Sequence, residues 1–209
     1  MKKCIFLFCK YIAFIWSYIY SLNLSDKFLN LHRLLYSFWV SRFFKSITDV
    51  HFWLPVYLDH PSRISIGKGT NIGRRAMLCV HPTNDNPNAE IVIGEKSFVG
   101  DDCNIQCCNS VQIGNGVLIG RKVMINDSSH GDISFEQMSI PPSLRPLISK
   151  GPIAIEDNVW IGEMVCILGD VHIGKSSIIG AGSIVTHDIP AYSVAVGNPA
   201  KVIKKIMPK

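Results

Sequence analysis

At 209 residues the chain has the length of one domain with an appendage. Its net charge is +5, with Lys and Arg scattered and no basic run. That leaves nucleic-acid binding without support and mildly favours anionic partners, such as a nucleotide-like cofactor or a phospholipid surface. Seven cysteines, an odd number with no framework spacing, fit reduced thiols in the cytosol rather than a disulfide scaffold.

Residues 4–20 are almost wholly apolar, broken by Lys10 and Ser17. Seventeen residues with a central Lys sit at the lower limit for a membrane span, and bulky aromatics stand where a signal peptide needs small residues. Residues 28–44 place Phe28, Leu31, Leu35, Phe38, Trp39 and Phe43 on one helical stripe, which predicts an amphipathic helix. Two roles stay open for residues 4–44: peripheral contact with a membrane, or packing against the rest of the protein. Were residues 4–20 to span, Lys27, Arg33, Arg42 and Lys45 would outnumber Lys2 and Lys3, keeping the main domain on the cytoplasmic side.

From Ile64 onward an aliphatic residue recurs every sixth place: Ile66, Ile72, Leu78, then Ile93, Val99, Ile105, then Ile113, Ile119, Ile125. After a break come Ile155, Ile161, Ile167, Ile173, Ile179 and Val185. Small or short residues such as Val159, Val165, Val171, Ser177 and Ser183 follow four places later, and Cys103 and Cys166 fall on small-residue positions. A period of six is neither helical nor simple strand alternation. It predicts a strand that turns a corner every sixth residue, three corners to a coil, in a left-handed parallel β-helix. The reading divides the chain into a helical region, 1–58, and a β-helix domain, 59–209. The intervals 78–93, 105–113 and 125–155 exceed six, and all three excesses fall at the same corner. They predict a loop at 79–90, a small bulge near Val111–Gln112 and a long excursion at 131–152, stacked on one edge. Turn residues at 188–190 and 197–201 end the pattern, and the tail at 188–209 is expected to finish in a short helix at Val202–Ile206.

Four stretches carry a family resemblance: the repeats, Ile125-Asn126-Asp127-Ser128-Ser129-His130-Gly131, Asn158-Val159-Trp160-Ile161-Gly162, and Gly197-Asn198-Pro199-Ala200-Lys201. Here the sequence resembles the hexapeptide-repeat acyltransferases, in the branch of the galactoside, maltose and serine O-acetyltransferases. The loop Pro141–Leu147 is most similar to bacterial O-antigen and capsule O-acetyltransferases. The resemblance implies a homotrimer using acetyl-coenzyme A, held in the groove between two solenoids. The acceptor would be a hydroxyl of a surface glycan or its lipid-linked precursor, at the cytoplasmic face of the inner membrane. An amino-sugar amine is the alternative acceptor, and a non-catalytic assembly module the alternative role.

An O-acyltransferase must make a hydroxyl nucleophilic, hold an oxyanion and return a proton to the leaving thiolate; one imidazole suits both proton transfers. His130, last in its repeat and just before the longest excursion, is the expected base. Asp127, Asp132 or a backbone carbonyl could orient it. The cofactor contacts implied by the resemblance fall on Gly162, Ala181, Thr186 and Lys201, with Trp160 beside the acyl site; His187 stands where the family often has Lys or Arg. Acceptor contacts are expected at Asp101, His81 and Arg145. His172 reads as a solvent-facing neighbour, and His32, His51 and His60 as structural. No metal is expected: the Cys107–Cys108 pair lacks a zinc-type partner motif, and His81, His130 and His172 do not have the spacing of a zinc hydratase on this fold.

Overall fold

The computed structural model describes the backbone of residues 2–19 and 22–206 and the side chains of residues 5–17 and 24–206. The side chain of Cys4, Tyr20 at the end of the apolar stretch, and residues 207–209 of the tail lie outside the described residues.

An aliphatic side chain at each flat of a coil has nothing to pack on until a second coil lies above it, so the repeats stack. They form three parallel sheets, the faces of a left-handed prism. Face A runs Ile47, Ile66, Ile93, Ile113, Ile155, Ile173 in register. Face B runs Phe52, Ile72, Val99, Ile119, Ile161, Ile179, Ala195. Face C runs Leu58, Leu78, Ile105, Ile125, Ile167, Val185. Every residue from Ile66 to Val185 picked out by the spacing of six is buried, none exposing more than 3 %. Each such burial stabilises the fold by about 1.5–3 kcal/mol.

The corners are as regular as the flats. A residue in the left-handed region closes many of them, among them Arg75, Lys96, Asp102, Lys122, Asn158, Met164 and Ser176, with φ between 52° and 61°. That conformation costs a non-glycine residue about 1–2 kcal/mol. Its amide is then aimed at the coil below: Asp102 donates to Arg74, Lys122 to Asp101, and Met164 to Arg121. Small polar residues beneath the corners, Thr70, Ser97 and Ser177, are fully buried and donate their hydroxyls to Gly94, Gly114 and Pro190 carbonyls.

The interruptions at 79–90, near 111 and at 131–152 all leave the corner between faces C and A, as their common phase requires. Two expectations need correction. The solenoid starts a coil before residue 59, since Ser46–Ile47, His51–Phe52 and Tyr57–Asp59 pair with the next coil on faces A, B and C. Its inward residues Ile47, Phe52 and Leu58 are spaced five and six apart, one is aromatic, and the step to Ile66 is eight, so the period is hidden. Nor is the tail helical: Ala200–Lys205 is a strand, antiparallel to Ser193–Gly197. Val202 and Ala200 pack against the core from this hairpin, giving the last strand of face B a partner that no further coil supplies.

Helix α1 spans Lys2–Ile19 and helix α2 Leu22–Ser41. Among the described residues no helix is long and apolar enough to cross a membrane. Helix α2 closes the open end of the first coil: the Phe52 amide, pointing away from the second coil, donates to the Ser37 hydroxyl. Val40, with Phe44 just beyond the helix, joins the core. The packed side is therefore Tyr36, Ser37 and Val40, opposite the stripe that the sequence marks as apolar. Phe38 and Trp39 on that stripe stay exposed.

At Gly94, a Cβ would sit 2.6 Å from backbone atoms of Gly114, whereas at Gly69 (φ 73°) it would meet nothing closer than 3.7 Å. Gly94→Ala, clashing with backbone, should therefore lose about 3 kcal/mol by overpacking, more than Gly69→Ala, which should lose about 1–2 kcal/mol by conformation alone. Urea unfolding with the order reversed would contradict the coil-on-coil contact.

Candidate active site

The excursion at 131–152 is anchored by a two-stranded arm. Ser128–His130 pairs antiparallel with Leu147–Ser149, setting His130 opposite Leu147, and the ring lies in an exposed residue. Asn126 starts the arm, its Oδ1 accepting from both the amide (2.8 Å) and the hydroxyl (2.6 Å) of Ser128. Gly131 follows at φ 71°, where a Cβ would come within 2.9 Å of Gln137 Oε1 and Arg145 Cδ.

Among the described residues, neither carboxylate suggested for orienting His130 is hydrogen-bonded to it. Asp127 is 2 % exposed and accepts from the amides of Cys108, Asn109 and Ser110 at 2.6–3.0 Å. It closes the bulge of the coil below and so forms the foundation of the arm. Burial first, and the charge of Asp127 second, push the Cys108 thiol up to about 12. Asp132 accepts from the Ser134 amide, and the Ser134 side chain first and this amide second hold its carboxyl below the usual range. Arg145 is committed too: Nε donates to Ile140 and an Nη to Met138, bracing the excursion. Around this brace Ile133, Phe135 and Leu144 are exposed by 73 % or more.

A second feature lies on face B. Its outward residues Phe98, Leu118, Trp160 and Ile178 stand in one register column. With Gly120, Arg121, Gly162, Glu163 and Ala181 at the corner between faces B and C they line a groove of about 510 Å³. The two tight corners are capped to different degrees. Between faces A and B, the amides of Glu95, Asn115 and Lys175 are taken by side-chain oxygens of Asn115, Asp157 and Glu156, while those of Lys68, Asp157 and Ala191 have no acceptor among the described residues. Between faces B and C the Arg74 amide is taken by Asp101. Among the described residues, the amides of Asp101, Arg121, Glu163 and Ala181 have no acceptor. They recur on successive coils, about 4.8 Å apart. A column of fixed donors beside an apolar wall suits an extended ligand carrying amide carbonyls, or an oxygen on which charge develops.

Gly162, Ala181 and Trp160 thus come together, and Asp101 sits at the foot of the same corner. Thr186 does not join them: it lies past the last strand of face C, its hydroxyl 2.8 Å from His187 Nδ1. Lys201 is exposed on the terminal hairpin, opposite Val196. His81 belongs to the edge carrying the arm, with Nε2 2.7 Å from Gln106 Oε1 and Nδ1 3.6 Å from Asp59. His172 faces solvent beside Glu156. Within one chain, then, His130 and the groove lie on different edges. The sequence reading passed over Phe98, Leu118, Arg121 and Glu163; the absence of Asn or Asp at 121, 163 and 181 was the available signal. Among the described residues no group of three or more His, Cys, Asp or Glu is placed to hold a metal.

Comparison with known proteins gives the class. Residues 152–187 match the family model of the bacterial transferase hexapeptide (six repeats). An Escherichia coli K12 protein with the provisional name lipopolysaccharide biosynthesis O-acetyl transferase WbbJ is 32 % identical over 167 residues, 78 % of this chain and 81 % of that one. The chain belongs to the bacterial hexapeptide-repeat transferases. A Schizosaccharomyces pombe relative named as an acetyltransferase is 41 % identical over 114 residues, 54 % of this chain but only about half, 52 %, of its own length. Among solved structures, an N-acyltransferase from Bacillus cereus, AntD, bound to dTDP-4-amino-4,6-dideoxyglucose and coenzyme A, shares the fold. Its TM-score is 0.68 at 18 % identity, over 83 % of this chain and 90 % of that one.

Asp127→Ala removes a charged acceptor from three amides and should destabilise the protein by on the order of 3 kcal/mol. An unchanged urea midpoint would rule out this role.

Proposed function

We propose that the protein transfers an acetyl group from acetyl-coenzyme A to a sugar hydroxyl of a surface polysaccharide or its precursor, with His130 as general base. The observation that carries the reading is the column of unpaired corner amides beside Trp160, a cradle for a thioester-bearing ligand. His130 takes the hydroxyl proton, and the sugar oxygen attacks the thioester carbonyl. A corner amide near Ala181 holds the resulting oxyanion. As the tetrahedral intermediate collapses, the C–S bond breaks and the imidazolium returns its proton to the coenzyme A sulfur. Thr186 and Lys201 lie further along the cofactor's course, and Asp101 and His81 meet the acceptor. Arg145 contributes by bracing the excursion that carries the base.

Because base and groove are on different edges of one chain, the reading requires assembly. The apolar tip of the excursion and the apolar column on face B are unlike surfaces that complement each other between copies. Head-to-tail contacts of that kind close into a ring, here a homotrimer. We place the enzyme in the cytoplasm, at the inner face of the membrane. The relationship to WbbJ supports a hydroxyl acceptor over the amino sugar named in the AntD complex.

His130→Ala should lower acetyl transfer by about 10²–10⁴-fold, followed as thiol release from acetyl-coenzyme A with glycan acceptor present. Mass spectrometry of surface glycans with and without the gene should find an acetyl-sized difference on one sugar. Equal rates for the variant and the parent would remove His130 as the base. An amine acceptor, nucleophilic without base assistance, would instead give transfer that survives the substitution.

A further inference from the structure

Helix α2 seals the solenoid with its poorer side. Tyr36, Ser37 and Val40 face the protein, while the richer stripe faces outward: Leu35 is 59 % exposed, Phe38 66 % and Trp39 57 %. A helix whose only duty was to cap a core would turn these residues inward, since each forgoes about 1.5–3 kcal/mol of burial. Along helix α1 the same holds, with Phe6, Phe8 and Tyr11 exposed by 65 % or more.

Charge identifies what covers this surface. Residues 1–42 contain six Lys or Arg against one acid, Asp26, a net of +5. That equals the net charge of the whole chain, so residues 43–209 sum to zero. Aromatic and aliphatic side chains interleaved with basic ones, on helices that over the described residues are not long and apolar enough to cross, are the composition of a helix lying in the headgroup layer of an anionic bilayer. We infer that helix α1 and the outward stripe of helix α2 dock the protein on an anionic membrane surface, with the end of the prism toward the lipid. The proposal goes beyond the acetyl-transfer reading and does not depend on it. It adds a geometric consequence. The arm bearing His130 leaves the fourth coil, three coil spacings above the coil that α2 caps, or about 14 Å. In a ring of parallel prisms every copy would present its helices at the same end, so weak single contacts would combine.

The test is sedimentation of the full-length protein with vesicles of mixed phosphatidylethanolamine and phosphatidylglycerol, against vesicles of phosphatidylcholine alone. Binding to the anionic vesicles is expected, weakening with added salt. Lys27→Gln and Arg42→Gln should each lower partitioning about fivefold. The double variant Phe38→Ser/Trp39→Ser should abolish it while leaving circular dichroism and size on gel filtration unchanged. Failure of the parent to bind anionic vesicles would overturn the inference, whatever its transferase activity. So would a double variant that changes oligomeric size and still binds vesicles, since the stripe would then join copies of the chain.

Discussion

Everything in this molecule rests on the hydrogen-bonded contact between one coil and the next. A single coil encloses no volume: its three inward side chains touch only one another. Repetition supplies the rest, because Ile113 packs between Ile93 and Ile155, and Ile119 between Val99 and Ile161. The stack therefore needs closure at both ends, and the chain provides two unlike devices. Helix α2 takes the free amide edge of the first coil through Ser37, and the hairpin ending at Lys205 takes the last strand of face B.

The same stacking makes the corners useful. A corner amide that a neighbouring side chain satisfies is only structural, as at Asn115 and Asp157. One left unsatisfied is a donor held rigidly in space by the whole prism, with no reorganisation needed when a ligand arrives. The protein places four of these where the adjacent wall is apolar. His130, the proposed base, is carried differently, on an arm that departs from the regular pattern and is fixed at its root by Asp127 and Asn126. With rigid donors on one edge and a braced projection on another, the proposed site is divided between two edges of a single chain.

Much of this was legible in the sequence because the signal was periodic. Six-residue spacing foretold the prism, its inward residues and the common corner of its interruptions; the family motif is what nominates His130, Gly162 and Ala181 for the proposed site. What was hidden had no period. The first coil disappeared behind spacings of five and eight and an inward Phe52. The tail Val202–Ile206 was read as helical because nothing local records that the strand beside it lacks a partner. Arg145 read only as an acceptor contact, its bracing role hidden because the carbonyls it donates to, those of Met138 and Ile140, come within reach only once the excursion has folded. The stripe on helix α2 was visible, but which side of the helix would face the protein depended on Phe52 and its amide, which the second coil leaves for Ser37.

Two of the three corners admit no extra residue: a left-handed residue and a tight glycine, or its equivalent, lock each turn against the turns above and below. The third accepts two residues in one coil and twenty-four in another without disturbing the register. Lengthening there remodels what surrounds His130 and leaves the opposite seam untouched. On the proposed reading, such a scaffold can change what it modifies while keeping unchanged the part that grips its donor.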